Sequence, residues 1–370
     1  MKRFYLIVAL LVAASASFAK VAFLMTVASI NDFPAESYNG VNQQPEKNAA
    51  NWFKETFVDN GDGAFISLSE MAAGISVSDY STLWVNVDRM GLSDLAAAGI
   101  TDAIIEKIAD FVKAGGNLYL TKQANMIAYK MGRMGYAPGW SNGGYSDGGD
   151  TWTINAQRGL WPGIGHAPYD RRNHPVFDYV DVATDINSYI YEEVEYNYET
   201  MPLVGAVARS DNNNMWIDMF RRDPNTGGKM EETEGYTHYK NDNYLRLEDF
   251  EADWNCVALA VWGQVTDFCA AGIIEFKPQG EFKGGILTNG FAAYQWGTSN
   301  DNLDNVKQLT ESSLVFLEDY TPTAVEESKA DTPKAKVQGI FDLIGKPVSE
   351  SQMVPGNVYI VNGEKVLYSK

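Results

Sequence analysis

The sequence predicts an α/β protein: a doubly wound, mainly parallel sheet followed by a small all-β C-terminal tail. Three observations lead there. Short apolar runs alternate with amphipathic stretches through the first third of the chain, the pattern of strands separated by crossover helices. The opening run, Lys20–Val27, is apolar without alternation, as expected for a strand buried on both faces of a parallel sheet. Finally, Trp254–Gly297 holds three further apolar runs, Val257–Trp262, Ala270–Phe276 and Gly285–Thr288, each too short for a helix and bounded by Gly, Pro, Asp or Asn.

Taken in order, Met1–Ala19 has a basic start at Lys2 and Arg3, an apolar centre and a small-residue end at Ser17-Phe18-Ala19. That pattern is a secretory signal peptide with cleavage expected before Lys20. After the first strand, Pro45–Phe57 reads as a helix with Pro45 in its first turn and Ala49, Trp52, Phe53 and Phe57 on one face. Ala64–Leu68 and Leu83–Val87 read as strands, the latter running into Asp88-Arg89. Thr101–Ala114 is an amphipathic helix with Thr101 as its cap, lined by Ile104, Ile105, Ile108, Phe111 and Val112, and stopped by Gly115-Gly116. Leu118–Thr121 is a fourth strand, feeding a helix over Gln123–Met134. Pro202–Ala208 reads as a strand and Asn305–Leu317 as a helix. The composition shifts at Thr321. The organisation is therefore a leader (1–19), an α/β domain (20–320), a linker (321–336) and a β-rich tail (337–370) with a hairpin signal at Asn362-Gly363.

Composition narrows the function classes. The net charge of −19 repels phosphate backbones, which argues against a nucleic-acid partner. Beyond the leader no apolar stretch of ~18 residues exists, so no transmembrane helix is expected in the mature chain. Neither a zinc spacing, a phosphate loop nor a dinucleotide fingerprint is present, so no metal or cofactor is expected. Asp59-Asn60-Gly61-Asp62-Gly63 lacks the bidentate Glu of a calcium loop and reads as a turn. The two cysteines, Cys256 and Cys269, lie at the edges of neighbouring strands. In an exported protein they suit either a disulfide or two buried thiols.

Ligands of doubly wound sheets sit beyond the carboxyl ends of the strands, which selects Thr26–Asn31, Asp88-Arg89 and Lys122–Asn125 as the rim of a cleft. Hydrolases of this architecture put a nucleophile on the turn from strand to helix. Here that turn reads Thr121-Lys122-Gln123-Ala124-Asn125 with neither Cys nor Ser, which argues against nucleophilic catalysis. His174 precedes Pro175 beside Asp170 and Arg171, so it is a candidate base or ligand, or a structural histidine. The Gly-rich stretch Gly135–Gly165 carries Trp152 and Trp161, suited to stack on sugar rings or to anchor the loop. The candidate site residues are thus Asp88, Arg89, Lys122, Gln123, Asp170, Arg171, His174, Trp152 and Trp161, with His174 and Asp88 as candidate acid–base groups.

The segments GGNLYLTKQANMIAYKMGR (115–133), YDRRNHPVF (169–177) and above all CVALAVWGQVTDFCAAGIIEFKP (256–278) resemble the bacterial DUF4960 family. The resemblance implies a class I glutamine amidotransferase-like (flavodoxin-like) fold. More distantly the layout is similar to trehalose-utilisation (ThuA-like) proteins, with which it shares an element such as His174-Pro175. The nucleophile cysteine of amidotransferases has no counterpart, so glutaminase activity does not carry over. Such families accompany polysaccharide-use machinery, which implies an exported protein with a polysaccharide or oligosaccharide partner. The tail, with Gly339–Leu343, Pro355-Gly356 and YIVNGEKVL, is similar to type IX secretion sorting domains and implies delivery to the cell surface or beyond, with the periplasm as the other destination. Three functions follow as expectations: a non-catalytic glycan-binding protein, a sugar-active hydrolase or lyase using His174 and Asp88, or a surface protein–protein module.

Overall fold

A computed structural model describes residues 20–38, 41–89, 91–135, 137–138, 152–158, 169–191, 194–204, 217–218, 251–262, 270–290, 296–318, 320, 340–341, 358–361 and 364–367. In chain order the strands are β1 (Lys20–Met25), β2 (Glu36–Tyr38), β3 (Val41–Gln43), β4 (Gly63–Ser67), β5 (Tyr80–Val87), β6 (Asn117–Lys122), β7 (Trp152–Asn155), β8 (Gln157–Arg158) and β9 (Tyr169–Asp170). They continue with β10 (Ala183–Tyr191), β11 (Val194–Val204), β12 (Ile217–Asp218), β13 (Cys256–Trp262), β14 (Ala270–Phe276), β15 (Ile286–Asn289), β16 (Ile340–Phe341), β17 (Val358–Val361) and β18 (Glu364–Leu367). The α-helices are α1 (Pro45–Phe53), α2 (Leu68–Ala73), α3 (Asp102–Lys113), α4 (Met126–Lys130) and α5 (Leu303–Glu318).

The main sheet has the order β10-β11-β7-β13-β14-β15-β6-β5-β1-β4, with β12 paired to β14. From β15 through β6, β5 and β1 to β4 every pairing is parallel. From β10 to β15 every pairing is antiparallel. The chain is α/β as the sequence predicts, but the mainly parallel expectation holds for one half only. The reason lies in the connections. Crossover helices join the early strands, whereas β10 and β11 are separated by two residues, and a link that short permits only an antiparallel pair.

Two apolar layers sandwich the parallel half, and the strands supply them by strict alternation. On one face Leu24, Leu83, Val85, Leu118 and Leu120 meet Ile104, Ile105, Ile108 and Val112 of α3. On the other, Phe23, Trp84, Tyr119 and Leu287 meet Ala49 and Phe53 of α1 and Leu309, Leu314 and Leu317 of α5. Each leucine, isoleucine, valine or phenylalanine among them stabilises by roughly 1.5–3 kcal/mol, whereas an exposed pair such as Lys54–Asp59 contributes about 0–1 kcal/mol. Burial, not surface charge, therefore holds the sheet between its helices.

Local chemistry sets the helix ends. Ser67 caps α2 in a reciprocal box, its hydroxyl accepting from Glu70 N–H while its own N–H donates to the Glu70 carboxylate. Thr101 holds the N-cap position of α3 by backbone shape, but without the side-chain capping bond that its identity predicts. After α1 the chain widens into a π-helical turn, Lys54–Val58, which stacks Phe57 on Phe53 with ring centroids 5.2 Å apart. The predicted helix over Gln123–Met134 is shorter, a 3₁₀ turn at Gln123–Asn125 followed by α4. Of the strand read at Pro202–Ala208, Pro202–Val204 form the end of β11, which begins earlier, at Val194, and 205–208 lie outside the described residues.

The chain divides into two compact units, Met1–Pro322 and Thr323–Lys370. In the second, β16, β17 and β18 form a three-stranded antiparallel sheet. Val361 faces Glu364, so the β17–β18 hairpin has the two-residue connection that Asn362-Gly363 predicts. Among the described residues no helix is long and apolar enough to cross a membrane.

Candidate functional site at the strand ends

Strands β1, β5 and β6 end side by side, and each delivers a polar residue to the same place: Thr26 after β1, Asp88 and Arg89 after β5, and Lys122 at the tip of β6. The first turn of α1 adds Glu46. Thr26, Glu46, Asp88, Lys122 and Gln123 are all buried, while the Arg89 side chain keeps 13% exposure. Buried charges survive best when paired and hydrogen-bonded, and Arg89 and Glu46 are both. Arg89 donates from Nε to Glu46 Oε2 at 2.8 Å and from its terminal nitrogen to the Thr26 hydroxyl. Glu46 Oε1 accepts from the Asp88 backbone N–H at 3.0 Å. Burial holds the Glu46 carboxyl above the usual glutamate range, against the smaller opposing pull of Arg89 and the Asp88 N–H.

Gln123 joins this cluster as a fastener. Its side-chain carbonyl accepts from Arg89 N–H at 3.0 Å, and its amide donates to Arg89 C=O at 2.8 Å. Such a reciprocal pair imitates one more rung of the parallel ladder and locks the ends of β5 and β6 together. The sequence singles out Gln123 as a ligand-binding residue. Its amide is instead committed to the backbone of Arg89.

Lys122 stands out by its backbone. It has φ 61° and ψ −129°, a region that side chains other than glycine rarely occupy. This is the backbone geometry of a strand-to-helix elbow at the end of a parallel strand, and here the side chain it carries is buried. Lys122 Nζ lies 4.0 Å from Asp88 Oδ2, a charge interaction too long to be a hydrogen bond. Burial holds the ammonium far below the usual lysine range, at about 7, against the opposing pull of Asp88.

Beneath the cluster lies a polar layer that sequence reasoning passed over. The Trp84 indole donates to Thr121 Oγ1 at 2.9 Å, and Thr121 donates to Asn86 Oδ1 at 2.7 Å. Asn289, at the tip of β15, donates to the Tyr119 hydroxyl at 3.3 Å. The available signal was a polar residue closing an otherwise apolar strand, as in LWVNV and ILTN. Glu46 carried no such signal, because an acidic residue in a first helical turn also suits the helix dipole.

His174 belongs elsewhere. It is extended, with φ −71° and ψ 136°, and its Nδ1 accepts from Val176 N–H at 3.4 Å. That leaves Nε2 toward Glu275 Oε2 at 3.5 Å, while the ring packs on Phe316 with centroids 4.7 Å apart. Glu275 faces Leu287, which faces Tyr119, three residues before Lys122 and two strands away. At about 3.3 Å per residue and 4.8 Å per strand, the Glu275 and Lys122 backbones are roughly 14 Å apart. His174 and Asp88 therefore do not form one acid–base pair. Arg171 lies with His174, its guanidinium 3.8 Å from Glu251 and its N–H bonded to Ala156 C=O. Of Asp170 and Trp152 only the backbone is described, in β9 and β7. Trp161 lies outside the described residues, as does Cys269, so the disulfide expectation falls outside them too; Cys256 is buried on β13.

No family model matches the chain, and no curated protein matches it. Solved structures similar to it include a cytoplasmic protein of Salmonella typhimurium, 11% identical at TM-score 0.35, over 80% of this chain and 98% of that one. Another is the GH42 β-galactosidase Gan42B, 11% identical at TM-score 0.33, over 81% of this chain and 30% of that one. A third is PurLQS of Thermotoga maritima, 11% identical at TM-score 0.33, over 81% and 99%. At these scores the functional reading is left to the residues themselves.

Proposed function

We propose that the protein is an exported, non-catalytic glycan-binding protein on a class I amidotransferase-like, flavodoxin-like domain, with the rim of β1, β5 and β6 as its binding surface. The observation that carries this reading is the identity of the elbow residue. A lysine occupies the turn where acyl-transfer enzymes of this architecture place a cysteine or serine, so the usual acyl chemistry has no nucleophile. What the rim offers is polar and planar: a guanidinium fixed by Glu46 and Thr26, beside the exposed turn Ala28–Asp32. A fixed fork of N–H donors suits the adjacent hydroxyls of a sugar. The signal peptide, the acidic composition and the resemblance of 115–133 and 256–278 to a family that accompanies polysaccharide use support the same reading. The tail fits as a type IX sorting signal that hands the chain to the outer-membrane machinery, which makes the cell surface or the medium its destination.

Calorimetry against a panel of plant and microbial polysaccharides tests the proposal. At least one should bind, and Arg89→Gln should weaken that binding tenfold or more while the far-ultraviolet circular dichroism stays unchanged. Silence across a broad panel overturns the reading, as does binding indifferent to Arg89.

A further inference from the structure

A turn between the 3₁₀ segment Pro175–Phe177 and β10 lies against α5 and presents an aromatic ring to solvent. We propose that Tyr179, on this turn, is the stacking platform of a second site, one for neutral glycans, separate from the strand-end rim.

Three observations carry it. Tyr179 has φ 64°, in the left-handed region where glycine or asparagine is ordinary and a bulky side chain is an outlier. Such a conformation persists where the surrounding fold imposes it, and it concentrates at ligand clamps. Its neighbours Phe177 and Val180 are buried, yet Tyr179 is 88% exposed, so the strained backbone displays the ring instead of packing it.

The turn is also fixed on both sides of the ring. The Ser312 hydroxyl donates to Asp178 C=O at 3.0 Å. Asn305 accepts from Asp181 N–H at 2.9 Å and donates to Asp181 C=O at 3.1 Å. Within the turn, Asp178 N–H donates to Pro175 C=O and Val180 N–H to Phe177 C=O. A tyrosine on a clamped backbone has two side-chain torsions left to order, which keeps the entropic cost of binding small.

Finally, the ring has company. Among the described residues, three of the five exposed large apolar side chains are Tyr179, Val182 and Val315. Val182 follows Asp181, which is tied to Asn305, and Val315 lies one turn beyond Ser312, so the three form a stripe along the outer side of α5. From Asn305 to Val315 the helix rises about 15 Å, room for more than one sugar ring.

The chemistry of the stripe selects its occupant. One tyrosine and two valines fall far short of the roughly 800 Å² per partner that a stable protein interface buries. A flat, amphipathic ring suits the C–H face of a pyranose, and the exposed carboxylates of Asp178 and Asp181 beside it can accept from sugar hydroxyls. Those same carboxylates repel acidic polysaccharides, which leaves neutral ones. The stripe is distinct from the rim: α5 begins beside Lys122, where Val306, Leu309 and Thr310 stand, and runs down the sheet to Leu317, which Asn117 holds at the start of β6.

The inference rests on the glycan-binding reading, and one titration series separates the two. Residues 20–370 are titrated by calorimetry with the neutral polysaccharide of the panel that the wild type binds best. Tyr179→Asn removes the ring and suits the left-handed backbone, so its melting temperature should equal or exceed that of the wild type. Its affinity should fall about three- to tenfold, the loss expected for one aromatic face. Tyr179→Trp should restore the affinity, and saturating polysaccharide should protect Tyr179 from nitration by tetranitromethane, read by peptide mass mapping. Unchanged affinity in Tyr179→Asn overturns this inference and leaves the rim reading standing. So does a loss that Tyr179→Trp shares, or one that comes with a lower melting temperature. Silence of the wild type across the panel overturns the glycan reading and this site with it.

Discussion

At Lys122 burial and the Asp88 charge act in opposite directions on one proton, and burial is the larger effect. The consequence for stability has a definite sign. The folded value, about 7, lies below the value of 10.5 for an unperturbed lysine. Between those limits the unfolded chain binds the proton and the folded chain does not, so stability rises with pH across that window and is lost as pH falls through about 7. The full difference corresponds to up to about 4–5 kcal/mol. Urea midpoints measured at intervals from pH 6 to pH 10 should therefore climb for the wild type relative to Lys122→Met, in which this proton is absent. Parallel curves for the two proteins would show that the amine is solvated and ordinary. At this scale the sequence was partly legible. Asp88, Arg89 and Lys122 were found because strand-end positions can be counted from apolar runs. His174 was grouped with them because charged neighbours in YDRRNHP say nothing about which end of the sheet they reach; register decides that.

Among the elements, the parallel core was readable, as were β13 and β14 of the antiparallel half, but most of the outer ribbon β10–β11 was not. Strands β1, β5, β6 and β15 are buried on both faces, so each is a run of apolar residues that declares itself. The ribbon β10–β11 mixes tyrosines with acidic and amide residues and offers no such run. Nor did the sequence mark Asn117, which binds three elements at the opposite end of β6 from the candidate site. Its amide donates to Leu317 C=O of α5 at 2.7 Å, and its carbonyl accepts from Gly285 N–H, just before β15, at 2.9 Å. Both partners are main-chain groups in a buried setting, and a buried group left unmade costs about 1–3 kcal/mol. Asn117→Ala orphans both and should cost about 2–5 kcal/mol in urea unfolding. Asn117→Asp keeps the acceptor for Gly285 but loses the donor to Leu317, and brings a charge indoors. It should be at least as damaging near neutrality and recover part of the loss in acid, where the protonated carboxyl donates again. Equal stability of wild type and Asn117→Ala would mean that α5 is held by its apolar face alone.

Over the whole molecule, the division at Pro322 makes a claim about where stability resides. Among the described residues, both apolar layers of the large unit are built from residues between Val21 and Leu317. Helix α5 closes the second layer with Leu309, Leu314 and Leu317, and among the described residues these are its last members before the composition shift that the sequence shows at Thr321. The boundary was legible for that reason: a core ends where apolar periodicity ends, and the linker that follows has none. Among its described residues the small unit has three short strands, and three short strands alone bury little core. Residues 20–322 should therefore fold without residues 323–370. The truncated protein should match residues 20–370 in urea midpoint and melt within about 2 °C of them, because a shift larger than that corresponds to roughly 1 kcal/mol in a domain of this size. A markedly lower melting temperature would show that the tail contributes packing to the α/β unit. If the tail is an address read during export, as the proposed function has it, removing it should leave folding and the proposed polysaccharide binding intact while the chain no longer reaches the cell surface.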